Sequence, residues 1–382
     1  MNYLHLSDVH FGLKQLTSEE AMKNFCEQTY EIASRYGYLP IDNVFVTGDL
    51  KYAKGNQVYP STIVEFFSEL KTSFSISNSQ LFITPGNHDV NKDAYKREER
   101  IEDIKKDYIP QTREISDDLY NKIKKQGDYK GFCKIYKDII GIEFKLQPFI
   151  RSNSTVNVIH VNTPLVSYDS KTDQGQLIVD VKKVNSLCEV KNDLPTFVIG
   201  HHPISWLTRK EKEEFEKLMQ RYDIFMYLCG HEHVARFFPY QEIAASSIFE
   251  FICGTGEAME EDGSLTEMDI FFGYLGDARS GKVTAVKWSM RNEMWMPDSE
   301  FSYADEYHSL SGTRHYPKPI MNTYEIIERI KKYPGIMFDS KAICSYFKEN
   351  DLVFCQKDVE NIIIRLADNG DITPRGQGFF SK

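Results

Sequence analysis

No stretch of this chain approaches the roughly 18 to 20 consecutive apolar residues that a membrane span requires. The opening residues, MNYLHLSDVH, carry neither the basic nor the apolar region of a secretory signal. A cytoplasmic location is the expectation, with no membrane partner. Cysteine is sparse: seven residues, at positions 26, 133, 188, 229, 253, 344 and 355, none in a C-x-x-C spacing. That argues against a disulfide framework and a cysteine-held zinc, and reads as reduced thiols filling a core. Positive charge is also short. The formal net charge is -10 and the pI about 5.6, which disfavours a protein that coats nucleic acid, although bound metal ions can make one site locally positive.

What the chain does have is a recurring design. Apolar, β-prone runs stop abruptly in polar residues: NYLHLSD at the start, NVFVTGD at 43–49, QLFITPGNHD at 80–89, then TVNVIHVNT, LPTFVIGHHP and DIFMYLCGHEH. Segments of helical character, SEEAMKNFCEQTYEIASRYG and STIVEFFSELKTSF, lie between the first of them. Strands alternating with helices predict an α/β layered fold with function at the strand ends. Residues 91–130 interrupt the alternation with a charged helical stretch, either a pair of solvated helices or a cap over the strand ends. Beyond residue 250 the pattern is β-rich, and FFGYL with KVTAVKWSMRNEMWM reads as a hairpin that extends or closes a second sheet.

Five polar clusters end the apolar runs: Asp8-Val9-His10, Gly48-Asp49, Gly86-Asn87-His88-Asp89, Gly200-His201-His202-Pro203 and Gly230-His231-Glu232-His233. Carboxylates, one amide and several imidazoles converging from separate strands are the ligand mix for divalent first-row metals. In extended backbone, residues two apart point to one face, so Asp8 and His10 would reach one ion while Val9 packs away. His5 and His160 lie inside apolar runs and read as core groups, whereas Asn162 stands at another strand end.

The motifs DVH, GD, GNHD, GHHP and GHEH resemble the calcineurin-like metallophosphoesterase superfamily over residues 1–296. The resemblance implies a two-sheet β-sandwich flanked by helices and a site for two divalent ions. Manganese leads the candidates, and iron, zinc, cobalt and nickel suit the same ligands. One ion would be held by Asp8, His10 and His233, and the second by Asn87, His201 and His231, with Asp49 bridging. His88 would be the catalytic imidazole at the leaving oxygen and Asp89 its orienting partner, while His202 plays a supporting part. The implied reaction is hydrolysis of a phosphoester by in-line attack of metal-activated hydroxide on phosphorus.

Serine/threonine phosphatases of this superfamily carry GDxVDRG and GNHE; here the runs are GDLKYAKG and GNHD, which disfavours a protein phosphatase. A phosphodiesterase acting on nucleotides or cyclic nucleotides, or a nuclease, remains. A regulatory module whose metal site senses a phosphorylated ligand is the alternative, and the full set of ligand positions speaks for turnover instead. The expected organisation is a phosphoesterase domain over 1–299 with a helical insertion at 91–141, a linker at 300–318, and a small, mainly helical domain at 319–382. That tail, three short amphipathic helices followed by TPRGQGFF, resembles a winged-helix module for DNA contact or protein docking. Its third helix, QKDVENIIIRLADN, lacks the basic face that DNA reading needs, so docking has at least equal support.

Overall fold

Helix α1 (Glu19–Arg35) follows the opening strand β1 (Asn2–Leu6), and the alternation continues through β2 (Asn43–Val46), α2 (Thr62–Phe74) and β3 (Leu81–Ile83). Three helices come next, α3 (Arg97–Asp107), α4 (Asp117–Gln126) and α5 (Lys130–Ile140), then β4 (Phe149–Ser152), β5 (Asn157–His160) and the short α6 (Ser170–Asp173). After α7 (Val181–Val190), β6 (Thr196–Ile199), α8 (Arg209–Arg221) and β7 (Met226–Cys229) come strands alone: β8 (Arg236–Tyr240), β9 (Ile248–Ile252), β10 (Ala258–Met259), β11 (Leu265–Thr266), β12 (Asp269–Leu275), β13 (Ser280–Ser289), β14 (Met294–Pro297) and β15 (His308–Ser309). The computed structural model describes the chain apart from residues 12–17, 53–58, 109–113, 169, 225, 234, 241–247, 255–257, 260–264, 267–268, 276–279, 290–293, 298–307, 310–322, 335–336, 350–358, 360–361, 365, 368–370, 377–378 and 382. It divides into two units, Met1–Thr313 and Arg314–Lys382.

In the first unit one sheet runs β14-β13-β12-β1-β2-β3, with β15 on β13, and another runs β4-β5-β6-β7-β9-β8. Each has a parallel part, β1-β2-β3 at one edge of the first and β5-β6-β7-β9 in the middle of the other, the remaining neighbours being antiparallel. The fold is therefore α/β with two mixed sheets flanked by helices. Buried on both faces, the parallel strands read as continuous apolar runs. Alternation decides which core each residue joins: Phe45 of β2 packs with Tyr3, Phe82 and Phe197 between the sheets, while its neighbours Val44 and Val46 join the core under the helices. Phe45 and Phe197, from different sheets, stack with centroids 5.1 Å apart. On the outer side α1 buries Met22, Phe25, Cys26 and Ile32, and its first turn is capped by the Ser18 side chain, which accepts the Ala21 N–H.

Beyond residue 250 the expected hairpin is present, β12 pairing antiparallel with β13, and β10 with β11 makes a separate two-stranded sheet. Strand β12 pairs antiparallel with β1 and so completes the sheet on which the chain begins, while β9 joins β7. Partner choice depends on contacts far along the chain, which local alternation does not encode.

The insertion is fastened to the body by buried polar bonds. Arg97 and Arg100, both buried, share the Asp128 carboxylate, and Arg97 also donates to Ser167 O at 2.7 Å. Tyr108 donates to Glu211 Oε1 at 2.6 Å and Tyr120 to Asp180 Oδ2 at 2.9 Å. Residues 91–130 thus turn charged side chains such as Glu98, Glu99, Glu102 and Asp103 outward while their inner side is tied to the body.

The second unit contains α9 (Thr323–Lys332), β16 (Met337–Phe338), α10 (Ser340–Glu349), β17 (Thr373–Gly376) and β18 (Phe379–Ser381), the strands in order β16-β18-β17. Ile326, Ile330, Phe338, Ile343, Phe347 and Leu366 form its core. Most of the expected third helix and, apart from β15, the expected linker at 300–318 lie outside the described residues. Among the described residues no helix is long and apolar enough to cross a membrane.

Candidate metal centre

The parallel strands of both sheets deliver their following residues to one place. The β1–β2 pairing continues past the strands, with Asp8 N bonded to Gly48 O at 3.0 Å and His10 N to Asp49 O at 3.0 Å. The His231 N–H donates to Asp8 Oδ2 at 3.0 Å, and Asn87 Oδ1 lies 2.9 Å from His201 Nε2, so corners of different sheets are tied directly.

Extended backbone does not bring Asp8 and His10 together, contrary to the i, i+2 expectation. Strand β1 ends at Leu6, and Asp8 and His10 have φ of 51° and 50°. Asp49, His231 and His233 are left-handed too, at 51°, 74° and 55°. Each such residue costs on the order of 1–3 kcal/mol and persists only where its surroundings over-determine it, a pattern that gathers at functional sites. Close approach explains two glycines: a Cβ on Gly86 would stand 2.0 Å from Asp49 Oδ1, and one on Gly230 would stand 1.8 Å from Ser7 Oγ.

Four overlapping groups bring metal-binding atoms within 4.8 Å of one another: Asp8 with His10 and His233; His10 with Asp49 and His88; Asp8 with Asp49 and His201; and His201 with His202 and His231. His10 Nε2 faces His233 Nε2 at 3.3 Å, and His201 Nε2 faces His231 Nδ1 at 3.3 Å. His233 Nε2 is 3.3 Å from Asp8 Oδ1, and His201 Nε2 is 3.3 Å from Asp49 Oδ2. Paired imidazole nitrogens beside buried carboxylates offer more lone pairs than shared protons can satisfy. Cations between them would, and this donor set fits divalent first-row metals.

The electrostatics agree. Burial lowers His10 to about 4 and His231 to about 3, which leaves them neutral with a lone pair to give. Burial also pulls on His201, but the Asp49 and Asp8 carboxylates outweigh it and raise this imidazole to about 9. Asp49 falls well below the usual carboxylate range, because His201 and His88 outweigh the cost of its own burial.

All the expected ligands, Asp8, His10, Asp49, Asn87, His201, His231 and His233, are thus gathered here, with His88 beside them, its Nε2 3.9 Å from Asp49 Oδ2. The expected pairing of Asp89 with His88 is not found. His88 Nδ1 is buried without a hydrogen-bond partner. Asp89 turns back instead: its Oδ2 accepts the N–H groups of Gly86 at 2.9 Å and Leu50 at 3.2 Å, and its Oδ1 accepts the Tyr59 hydroxyl at 2.7 Å. Adjacent residues in a tight turn diverge, and the donors that reach this carboxylate are two backbone N–H groups and the Tyr59 hydroxyl. Burial first, and the Asp49 charge second, raise Asp89 to about 6.

His202 Nδ1 is 2.9 Å from Thr163 Oγ1, and its ring lies 4.4 Å from that of His231, a supporting place. His5 and His160 are core groups as expected, with Nε2 of His5 2.9 Å from Thr47 Oγ1 and Nδ1 of His160 3.1 Å from Ile83 O. Both ends of the Asn162 amide are engaged, one by Tyr129 and one by Leu146 O. Sequence reasoning missed Tyr59 and Trp206. The only signal for Trp206 was an aromatic residue just past GHHP, in GHHPISW.

Residues 1–235 match the family described as calcineurin-like phosphoesterase. The chain is 25% identical over 319 residues to an uncharacterized metallophosphoesterase-like protein, YydB, of Bacillus subtilis strain 168, covering 78% of this chain and 62% of the relative. It therefore spans less than two thirds of that relative's length. The purple acid phosphatase PPD1 of yellow lupin (Lupinus luteus) aligns with a TM-score of 0.44 at 10% identity, over 78% of this chain and 52% of that one. A 5'-nucleotidase of Candida albicans aligns with a TM-score of 0.40 at 12% identity, over 97% and 58%. Similarity at this level says nothing about substrate. The family match takes in more than half of the chain, which accordingly belongs to the calcineurin-like phosphoesterases.

Proposed function

We propose that the chain hydrolyses phosphodiesters at this centre with two divalent cations, manganese foremost. The observation that carries the reading is the place of Asp49, whose carboxylate belongs both to the group with His10 and His88 and to the group with Asp8 and His201. Asp8, His10 and His233 would hold one cation and Asn87, His201 and His231 the other, with Asp49 shared between them. When bound, the two cations supply Lewis acidity, orient phosphate oxygens and lower the pKa of water between them.

The chain's own residues do the rest. His88 is 24% exposed in its side chain and so reachable by substrate; its imidazole donates to the leaving oxygen or stabilises the charge that develops there. The buried Asp89 carboxylate holds the Leu50 and Gly86 corners, and hence Asp49 and Asn87, at fixed separation. Nucleotides, cyclic nucleotides and nucleic acid are the substrates this reading takes in, and a cytoplasmic setting goes with it. For the second unit, helix, strand, helix, helical residues 362–364 and 366–367 and the antiparallel β17–β18 pair support a winged-helix reading, with DNA or a protein as partner.

Hydrolysis of bis-p-nitrophenyl phosphate with added manganese tests the proposal. Metal-dependent release of nitrophenol is expected; none with any first-row divalent metal would refute it.

A further inference from the structure

We propose that Trp206 is a stacking wall for a nucleobase, so that the phosphodiester taken by this centre carries a nucleoside; the inference rests on the phosphodiesterase reading above. Trp206 ends the short 3-10 turn Ile204–Trp206 that leaves the GHHP motif. Its ring stands at 87° to that of His231, centroids 4.2 Å apart, and its indole N–H donates to Glu232 Oε1 at 3.3 Å. Glu232 in turn meets Arg236 Nη1 through its other oxygen at 3.4 Å. The backbone is fixed as well: Trp206 N bonds to Pro203 O at 2.9 Å, and Trp206 O accepts the Leu177 N–H at 3.2 Å. A large aromatic ring is thus locked at the edge of a polar centre and only partly buried.

A diester has two arms. With His88 serving the leaving arm, the retained arm falls to the His231 side of the centre, where Trp206 stands. His231 stands perpendicular to this ring and His202 lies 5.5 Å from it at 36°, so the part of the indole left exposed, its polar edge already bonded, is the apolar surface offered to that arm. A nucleobase uses such a face fully and with little regard to its identity, whereas a glycerol or other small alkyl arm does not.

The test compares two esters with one leaving group, thymidine 5'-(p-nitrophenyl phosphate) and ethyl p-nitrophenyl phosphate, on the manganese-loaded full chain. The ratio of their kcat/KM values, thymidine ester over ethyl ester, should fall roughly 5- to 100-fold in Trp206→Leu and recover in Trp206→Phe. An unchanged ratio, with both esters slowed alike, would mean that Trp206 only packs against His231 and would overturn the inference.

Fluorescence decides the point without turnover. Thymidine 5'-monophosphate should quench tryptophan emission more than ribose 5-phosphate does, and the difference should vanish in Trp206→Phe. Equal quenching in the wild type overturns the inference whether or not the esters are cleaved, whereas loss of hydrolysis of every ester with quenching retained overturns only the phosphodiesterase reading. Tighter competition by a single-stranded oligothymidylate than by the mononucleotide points to nucleic acid as the source of the base, and the reverse to a free nucleotide.

Discussion

His88 donates its backbone N–H to Asp49 Oδ1 at 2.7 Å, and its imidazole Nε2 stands 3.9 Å from Oδ2 of the same carboxylate. One buried acid therefore fixes the turn that carries His88 and also faces the ring. Asp49→Ala should lose both functions. Metal analysis of the purified variant should find fewer than two ions per chain, together with loss of hydrolysis; two retained ions would contradict the bridging assignment.

His88→Ala should separate binding from chemistry. No ligand is removed, so metal content should match the wild type, while hydrolysis falls by about 10² to 10⁴, the usual worth of a positioned acid or base. Wild-type turnover would take His88 out of the reaction.

Asp89→Ala strands the buried N–H groups of Leu50 and Gly86 and frees two ligand-bearing corners. Loss of such outer support typically weakens metal binding by about 10- to 100-fold. Tyr59→Phe removes only the hydroxyl on Oδ1 and should have a smaller effect. Manganese titration calorimetry of the metal-free variants reads this directly, and unaltered affinity in Asp89→Ala would show that the corners hold without it.

The gathering of these residues at one place was legible because each follows an apolar strand, and parallel strands of one sheet open on one side. How the backbone reaches the site was not. Asp8 and His10 looked like alternate residues of an extended strand, yet both are left-handed, a conformation set by contacts with Gly48, Asp49 and His231 that arrive from elsewhere in the chain. Adjacency suggested that Asp89 serves His88, but its donors are Leu50, Gly86 and Tyr59, two of them more than 25 positions away in the chain. The insertion's ties to the body were not legible for the same reason: its surface charge is local, whereas its bonds through Arg97, Tyr108 and Tyr120 are long-range.

Metal uptake should depend on pH. In the metal-free protein the Asp49 and Asp8 carboxylates, working against burial, raise His201 to about 9, above the roughly 6.5 of an unfolded histidine. Its protonated form therefore stabilises the metal-free fold fully below about pH 6.5, and that contribution fades as the pH rises through about 9. A metal needs the neutral ring, so binding releases this proton, and affinity should rise about tenfold per pH unit between 7 and 9. Calorimetry in buffers of different ionisation enthalpy should detect the released proton; uptake without proton release would contradict the ligand role of His201.

Asp128→Ala should destabilise the fold far more than loss of a surface ion pair, because it leaves Arg97 and Arg100 buried without their shared carboxylate. The expected loss is about 3–5 kcal/mol by urea unfolding. Hydrogen exchange should speed up first in α3 and around Ser167, and a change below about 1 kcal/mol would show the cluster to be incidental.

The most direct test of a two-cation phosphodiesterase is hydrolysis of bis-p-nitrophenyl phosphate by wild type and Asp49→Ala side by side, with and without manganese. Manganese-dependent turnover in the wild type that disappears in the variant is the predicted result. Equal rates in the two proteins, or no metal-dependent turnover in either, would contradict it.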